Sequence, residues 1–134
     1  MVSAVLFTYM KKPTVLIVED SPYLAESVQD LLEMNNFNTL VAPNGKQGIE
    51  LALENRPDLT LLDIRLPDMT GYDVFNQIRN HAEWGATAKI SILTASESID
   101  EISKNVSLPL EHVLFKPEWS LTNLLKHIQQ RITQ

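Results

Sequence analysis

Apolar and polar residues alternate along the chain in blocks that predict five strands, each followed by a helix. Short apolar runs, rich in β-branched residues and bounded by Pro, Asn or acidic residues, predict strands at residues 14–18, 38–42, 59–63, 89–94 and 112–115. Such runs are typical of strands that are buried on both faces of a sheet. After the runs, apolar residues recur three and four positions apart, which is the spacing of one helix face.

Small polar residues mark where the predicted helices begin. The predicted N-caps are Ser21, Asn44, Thr70, Ser98 and Ser120. Pro22 suits the first position of a helix, and Gln or an acidic residue follows three of the caps at the spacing of a capping box. We expect the first helix to end near Asn35 and the second to end at Pro57.

Five βα units in succession predict an α/β fold: a single doubly wound, five-stranded parallel sheet with helices on both faces. Residues 13–134 are assigned to this domain, and residues 1–12 to a flexible lead-in. The apolar start of the lead-in has Lys11 and Lys12 after it rather than before it, so a signal peptide is not expected. No run approaches the ~18 apolar residues of a membrane span, so we expect no membrane insertion.

Composition and charge narrow the classes of function. The 134 residues are 44% apolar, which suffices for the core of one domain. The net charge of −6 argues against a bare nucleic-acid binder. The absence of cysteine excludes disulfides, cysteine-ligated metals and a thiol nucleophile. His81, His112 and His127 lack the spacing of metal ligands, so surface or helix-end roles are expected for them.

Polar residues end the predicted strands at the edge where doubly wound sheets bind their ligands. Glu19 and Asp20 follow the first strand and Asp63 ends the third, while Thr94 ends the fourth and Lys116 follows the fifth. Three carboxylates at one edge repel each other unless a cation joins them, and Mg²⁺ is the simplest such cation. An aspartate beside Mg²⁺ can attack phosphorus. A lysine ammonium and a threonine hydroxyl supply the positive charge and the donor that a phosphoryl group requires.

Four segments together resemble the response-regulator receiver domain of two-component signalling. They read VLIVED at residues 15–20, LLDIRLPDMTG at 61–71, ILTA at 92–95 and FKP at 115–117. The resemblance covers about residues 12–132, nearly the whole chain. It implies the flavodoxin-like strand order 2-1-3-4-5.

The resemblance assigns a metal site and a phosphoacceptor. Asp63 is implied to be the residue that is phosphorylated. Asp20 and Asp63 are implied to bind Mg²⁺ directly, with Glu19 helping through a water and the backbone carbonyl of Arg65 completing the protein's share. Thr94 and Lys116 are both implied to contact the phosphoryl group, Thr94 through its hydroxyl and Lys116 through its charge.

The resemblance also implies how the domain works. A sensor histidine kinase or a histidine phosphotransfer protein is the expected phosphoryl donor, and a downstream target protein reads the phosphorylated surface. We expect a cytoplasmic signalling switch rather than an enzyme, with no direct contact to nucleic acid. The fourth predicted helix, the fifth strand and the last helix form a surface that family members use for targets or homodimers. The 116–117 peptide bond is expected to be cis, as is typical of the family.

Three features depart from the family pattern. Val113 stands where the family has a switch aromatic, so the usual coupling of Thr94 to a moving ring is in doubt. Residues 105–110 replace a glycine-containing stretch, so the fourth helix is expected to be short or displaced. Arg65 is a bulky cation beside the site and is expected to alter the lifetime of the phosphoryl group.

Other classes of function fit the sequence less well. Acidic residues after the first strand disfavour a flavin-phosphate loop, and Arg65 breaks the Asp-x-Asp pair of haloacid-dehalogenase-type phosphatases. The glycine fingerprint of a Rossmann dehydrogenase is absent. The alternative that stays open is a degenerate receiver that acts by binding alone. Val113 favours that alternative, whereas the acidic set with Thr94 and Lys116 opposes it.

Overall fold

The protein consists of one five-stranded sheet with helices packed on it. The computed structural model describes residues 11–81, 83–116 and 120–134. The strands are β1 (Thr14–Val18), β2 (Asn38–Ala42), β3 (Leu59–Asp63), β4 (Ile90–Thr94) and β5 (Val113–Phe115). The helices are α1 (Pro22–Glu33), α2 (Gly45–Asn55), α3 (Gly71–Arg79), α4 (Trp84–Thr87), α5 (Ile99–Asn105) and α6 (Leu121–Thr133), and a 3₁₀ turn spans Leu110–His112. Most of the predicted lead-in and the 116–117 peptide bond lie outside the described residues.

The sheet has the predicted order, β2-β1-β3-β4-β5, and its strand pairs are parallel. Val18 on β1 is level with Ala42 on β2 and with Leu62 on β3. Leu62 is in turn level with Ile92 on β4. Because the strands run in one direction, their carboxyl ends all lie at one edge of the sheet.

Alternating side chains of each strand supply two separate cores, one on each face of the sheet. Leu16 and Val18 belong to the core that is covered by α2, α3 and α5. Val15 and Ile17 belong to the core under α1 and α6. These four side chains are buried, which explains why β1 is a continuous apolar run rather than an alternating one.

The helices begin where the polar caps predict. Thr70 and Asp73 form a full capping box, in which Thr70 Oγ1 accepts from the Asp73 N–H at 3.2 Å and Asp73 Oδ2 accepts from the Thr70 N–H at 3.3 Å. The other predicted caps also accept a backbone N–H with their side chains; they are Ser21, Asn44, Ser98 and Ser120. Within the described ranges, no helix is long and apolar enough to cross a membrane.

Several element boundaries differ from the prediction. Helix α1 ends at Glu33, before Asn35. Helix α2 ends at Asn55 and not at Pro57, because Arg56 takes the left-handed conformation with φ of 46° and closes the helix. β5 begins only at Val113, since His112 belongs to the preceding 3₁₀ turn. Helix α5 is seven residues long, in keeping with the expected short fourth helix.

Helix α4 was not predicted from the sequence. Its start has no side-chain cap, and Glu83 before it has a φ of 64°, so no local signal marks it. Arg79 on α3 holds the segment instead, since its guanidinium donates to the carbonyls of Gly85, at 3.0 Å, and Ala88. Gly85 is required at this contact because a Cβ there would lie 2.0 Å from the Ile78 carbonyl oxygen.

A buried polar chain joins β4 to α6. The Arg131 Nε–H donates to Ser91 Oγ at 3.1 Å, and the Ser91 hydroxyl lies 2.8 Å from His127 Nε2. A second Arg131 nitrogen donates to the Ile90 carbonyl at 3.1 Å. Ser91 is fully buried. Burial, followed by the charges of Arg131 and His112, lowers the pKa of His127 from 6.5 to about 4, so His127 is neutral at pH 7. A surface or helix-end role was expected for His127, whereas the structure places it half-buried with its ring against Ser91.

This lowered pKa makes stability depend on pH. As the pH falls from 6.5 towards 4, the unfolded chain protonates His127 while the folded chain does not, so the free energy of unfolding decreases across this window. In urea unfolding, we expect the parent to lose about 1 kcal/mol more than His127→Gln between about pH 7.5 and pH 5, after allowance for partial exposure. Gln keeps an acceptor for Ser91 but does not titrate. An identical pH dependence in the two proteins would contradict the assignment.

Candidate functional site

The carboxyl ends of β1, β3 and β5 bring three carboxylates and one ammonium together. Carboxylate oxygens of Glu19, Asp20 and Asp63 all lie within 4.8 Å of one another. Lys116, which directly follows β5, places its Nζ 2.9 Å from Glu19 Oε1 and 3.0 Å from Asp63 Oδ2. Four of the predicted site residues therefore lie together at one sheet edge.

Burial makes this cluster strongly electrostatic. Glu19 and Asp63 are buried, with 2% and 5% of their surface exposed, whereas Asp20 is exposed to solvent. Burial and the hydrogen bond shared with Asp63 raise the pKa of Glu19 to about 7, against the lowering effect of Lys116. One ammonium thus compensates only part of the charge that three carboxylates place here.

The donor set fits a hard divalent cation. All the nearby ligand atoms are carboxylate oxygens, which Mg²⁺ prefers, and Asp20 opens the cluster to solvent. A second positive charge would also oppose the burial and the nearby Asp63 that raise the pKa of Glu19. Glu19, Asp20 and Asp63 could therefore hold the metal. The part predicted for the Arg65 carbonyl stays a prediction, while the Arg65 N–H donates to Asp63 Oδ1 at 3.3 Å.

The loop after β3 is fixed at both ends. Arg65 and Thr70 form an antiparallel bridge across it. The carboxylate of Asp68 accepts from the N–H groups of Gly45 and Lys46, at 2.8 and 2.9 Å, at the start of α2. These two backbone hydrogen bonds, the main causes, lower the pKa of Asp68. The loop is thereby tied to the neighbouring helix N-terminus.

Glu97 contacts both Thr94 and the Arg65 side chain, although it was not predicted to belong to the site. The Thr94 hydroxyl donates to Glu97 Oε2 at 2.5 Å, and the Glu97 N–H donates to Thr94 Oγ1 at 3.1 Å. Arg65 Nε donates to Glu97 Oε1 at 2.8 Å. The hydroxyl of Thr94 is thus engaged by Glu97, in the β4–α5 loop. The Thr-x-x-Glu spacing, like that of Thr70 and Asp73, was the signal that could have revealed this pair.

Val113 packs on the core under α5. It lines a cavity of about 60 Å³ with Ile99, Ile102, Leu108 and Leu110. His112 lines a different cavity, together with His127 on α6. The two residues therefore face opposite sides of the sheet, although His112 lies in the 3₁₀ turn before β5 and not on the strand itself.

The chain belongs to the response-regulator family: its residues 15–129 match the family model of the response regulator receiver domain. The predicted family is thus confirmed. A relative, the polar-differentiation response regulator DivK of Brucella anthropi, is 32% identical over 107 residues, which cover 72% of this chain and 87% of DivK. The probable transcriptional regulatory protein TcrX of Mycobacterium tuberculosis is 36% identical over 88 residues, 66% of this chain but only 36% of TcrX.

Solved structures share the fold. A receiver domain protein from Methanospirillum hungatei superposes with a TM-score of 0.78 at 20% identity, covering 92% of this chain and 95% of that one. The receiver domain of sensor histidine kinase PA1611 from Pseudomonas aeruginosa superposes with a TM-score of 0.80 at 25% identity, covering 92% and 100%. That structure has a magnesium ion coordinated in its active-site cleft.

Gly71 is required where the start of α3 approaches the end of β3. A Cβ at Gly71 would lie 2.3 Å from the Asp63 carbonyl oxygen, which is backbone and cannot move aside. We expect Gly71→Ala to lower the free energy of unfolding by about 2 kcal/mol, measured by urea titration.

The matched control is Gly45→Ala, because Gly45 is also the first residue of a helix. There the Cβ would meet the side chain of Met69, at 2.3 Å from Cγ, and this flexible chain can rotate away. Gly45→Ala should therefore cost less than half as much. Equal losses for the two variants would show that the backbone contact at Asp63 is unimportant.

Proposed function

We propose that the chain is a phosphoacceptor receiver in a two-component phosphorelay, in which Mg²⁺-dependent phosphorylation of Asp63 switches the binding of a partner. The observation that carries this proposal is the position of Lys116 Nζ, which lies within 3.0 Å of both Asp63 and Glu19. A cation so placed can neutralise a phosphoryl group joined to Asp63. The binding-only alternative gives no reason for this convergence of charges.

The reaction transfers a phosphoryl group to a carboxylate oxygen of Asp63. The donor is a phosphohistidine on a sensor kinase or a histidine phosphotransfer protein. A bond forms between the Asp63 oxygen and phosphorus as the phosphorus–nitrogen bond of the donor breaks. The imidazole, protonated on its other ring nitrogen, leaves as a neutral group and keeps the electron pair of the broken bond.

The chain's own residues prepare this transfer. Asp63 is buried, so its carboxylate is poorly hydrated, and the Arg65 N–H holds Oδ1 while Lys116 holds Oδ2. Lys116 can transfer its hydrogen bond from Asp63 to a phosphoryl oxygen, and Thr94 can donate its hydroxyl proton to another. Glu19, Asp20 and Asp63 would hold Mg²⁺, which would supply further positive charge beside the phosphoryl oxygens.

The product acts as a signal. We propose that the phosphorylated chain acts as a switch rather than as an enzyme, and that its changed surface is read by a downstream protein. The surface formed by α5, β5 and α6 is the one proposed for that target or for a second copy, in line with its use in the family. Arg65 is proposed to set the lifetime of the phosphoryl group.

The phosphoacceptor is tested by intact mass after incubation with acetyl phosphate and Mg²⁺. We expect one phosphoryl group on the parent and none on Asp63→Asn, because the amide has no anionic oxygen to attack phosphorus. The control is Asp58→Asn: Asp58 is an exposed residue at the opposite end of β3 and should leave labelling intact. If no adduct forms, even with a cognate kinase, the chain is a binding module and the proposal is wrong.

The metal is tested by thermal unfolding with Mg²⁺ against a chelator. At about tenfold excess over Kd, the ion should raise the free energy of unfolding of the parent by about 1.4 kcal/mol. Asp20→Asn should lose most of this gain, because one of the three carboxylates becomes neutral. Asp30→Asn, on the exposed side of α1, should keep it. The same gain in all three proteins would place the ion elsewhere.

A further inference from the structure

The β4–α5 loop places a carboxylate between two groups of the phosphoryl site. Glu97 accepts the hydroxyl proton of Thr94 with one oxygen and the Nε–H of Arg65 with the other. Only 13% of the Glu97 side chain is exposed. Although burial alone would raise its pKa, the hydrogen bonds from Arg65 and Thr94 lower the pKa of Glu97 overall, so the carboxylate is charged.

The hydroxyl of Thr94 has a single proton to donate. While that proton is donated to Glu97, it is not available to a phosphoryl oxygen. The two acceptors are both anionic, so each bond is of the strong, charge-assisted kind. Glu97 and a phosphoryl group on Asp63 therefore compete for the same proton.

Arg65 connects Glu97 to the loop that follows β3. Its backbone N–H contacts Asp63 Oδ1 at 3.3 Å, while its guanidinium binds Glu97. The guanidinium is 73% exposed, so its pairing with Glu97 is weak and can be exchanged.

A groove beside Glu97 has room for the carboxylate once it is displaced. The groove has a volume of about 680 Å³ and is lined by Arg65, Thr70, Tyr72, Glu97 and Glu101, among others. The Tyr72 hydroxyl is buried and, within the described residues, has no hydrogen-bond partner. The groove thus offers space to a carboxylate that leaves Thr94.

We infer that Glu97 is a positioning residue. It keeps the Thr94 hydroxyl hydrogen-bonded to its own carboxylate, and so away from Asp63, until a phosphoryl group on Asp63 replaces it as the acceptor. The inference rests on the proposed function. It goes further by giving the chain a switching contact that does not require an aromatic residue at position 113, where this chain has Val113. Release of Glu97 from Thr94 leaves its ion pair with the largely exposed Arg65 as the remaining side-chain restraint on Glu97.

The test measures the affinity for beryllofluoride, a stand-in for the phosphoryl group, in saturating Mg²⁺ by isothermal titration calorimetry. Glu97→Ala should bind about tenfold more tightly than the parent, because no carboxylate competes for Thr94. Glu97→Gln should show a smaller gain, about threefold, since its amide oxygen still accepts from Thr94 but without charge.

Two controls separate release of the hydroxyl from mere removal of negative charge. Glu101→Ala removes a carboxylate from the same groove and should change the affinity by less than about twofold, because no bond to Thr94 is lost. In a Thr94→Val background, Glu97→Ala should have no effect. An equal gain with and without the threonine hydroxyl would overturn the inference, as would a parent and Glu97→Ala of equal affinity.

The failure of the proposed function gives a different result. If the parent and every variant fail to bind beryllofluoride, or if Asp63→Asn binds it as well as the parent does, the phosphoacceptor assignment itself is wrong. If the parent binds, Asp63→Asn does not, and Glu97→Ala shows no gain, only the role of Glu97 is rejected.

Discussion

The mutual repulsion of carboxylates at one sheet edge is the constraint on which the arrangement of the site depends. Parallel strands deliver Glu19, Asp20 and Asp63 to the same edge, and two of these side chains are buried there. Lys116 offsets part of the charge and stands at hydrogen-bond distance from both buried carboxylates. The cluster is therefore stable but incompletely neutralised, and it gains by acquiring further positive charge.

Most of the fold could be predicted because its signals are local. The strands are apolar runs with polar ends, and the caps at Ser21, Asn44 and Thr70 accept the backbone bonds that their spacing predicts. Helix α4 could not be predicted, since the Arg79 side chain that fixes it comes from another helix. The end of α2 was misplaced because Arg56 adopts the left-handed conformation that closes the helix, and no glycine marks this position in the sequence.

The site was predictable in so far as it depends on strand ends. The parallel topology brings the carboxyl ends of the strands to one edge of the sheet. The residues at these ends therefore lie together there: Glu19, Asp20, Asp63 and Lys116. The partner of Thr94 was missed because the Thr-x-x-Glu spacing of Thr94 and Glu97 does not by itself distinguish this contact from a helix cap, and the folded chain shows that Glu97 turns back to the threonine. The contact of His127 with the buried Ser91 was missed because Ser91 is distant from it in sequence.

The tie between Asp68 and the first N–H groups of α2 makes the two sides of the site unequal. On one side, two backbone hydrogen bonds hold the loop after β3 to a helix that is packed on the sheet. On the other side, Arg65 joins the β4–α5 loop through an ion pair whose arginine is largely exposed, and such pairs contribute little to stability. On the proposed function, a change of charge at Asp63 would therefore act first on the weaker contact, on the α5 side.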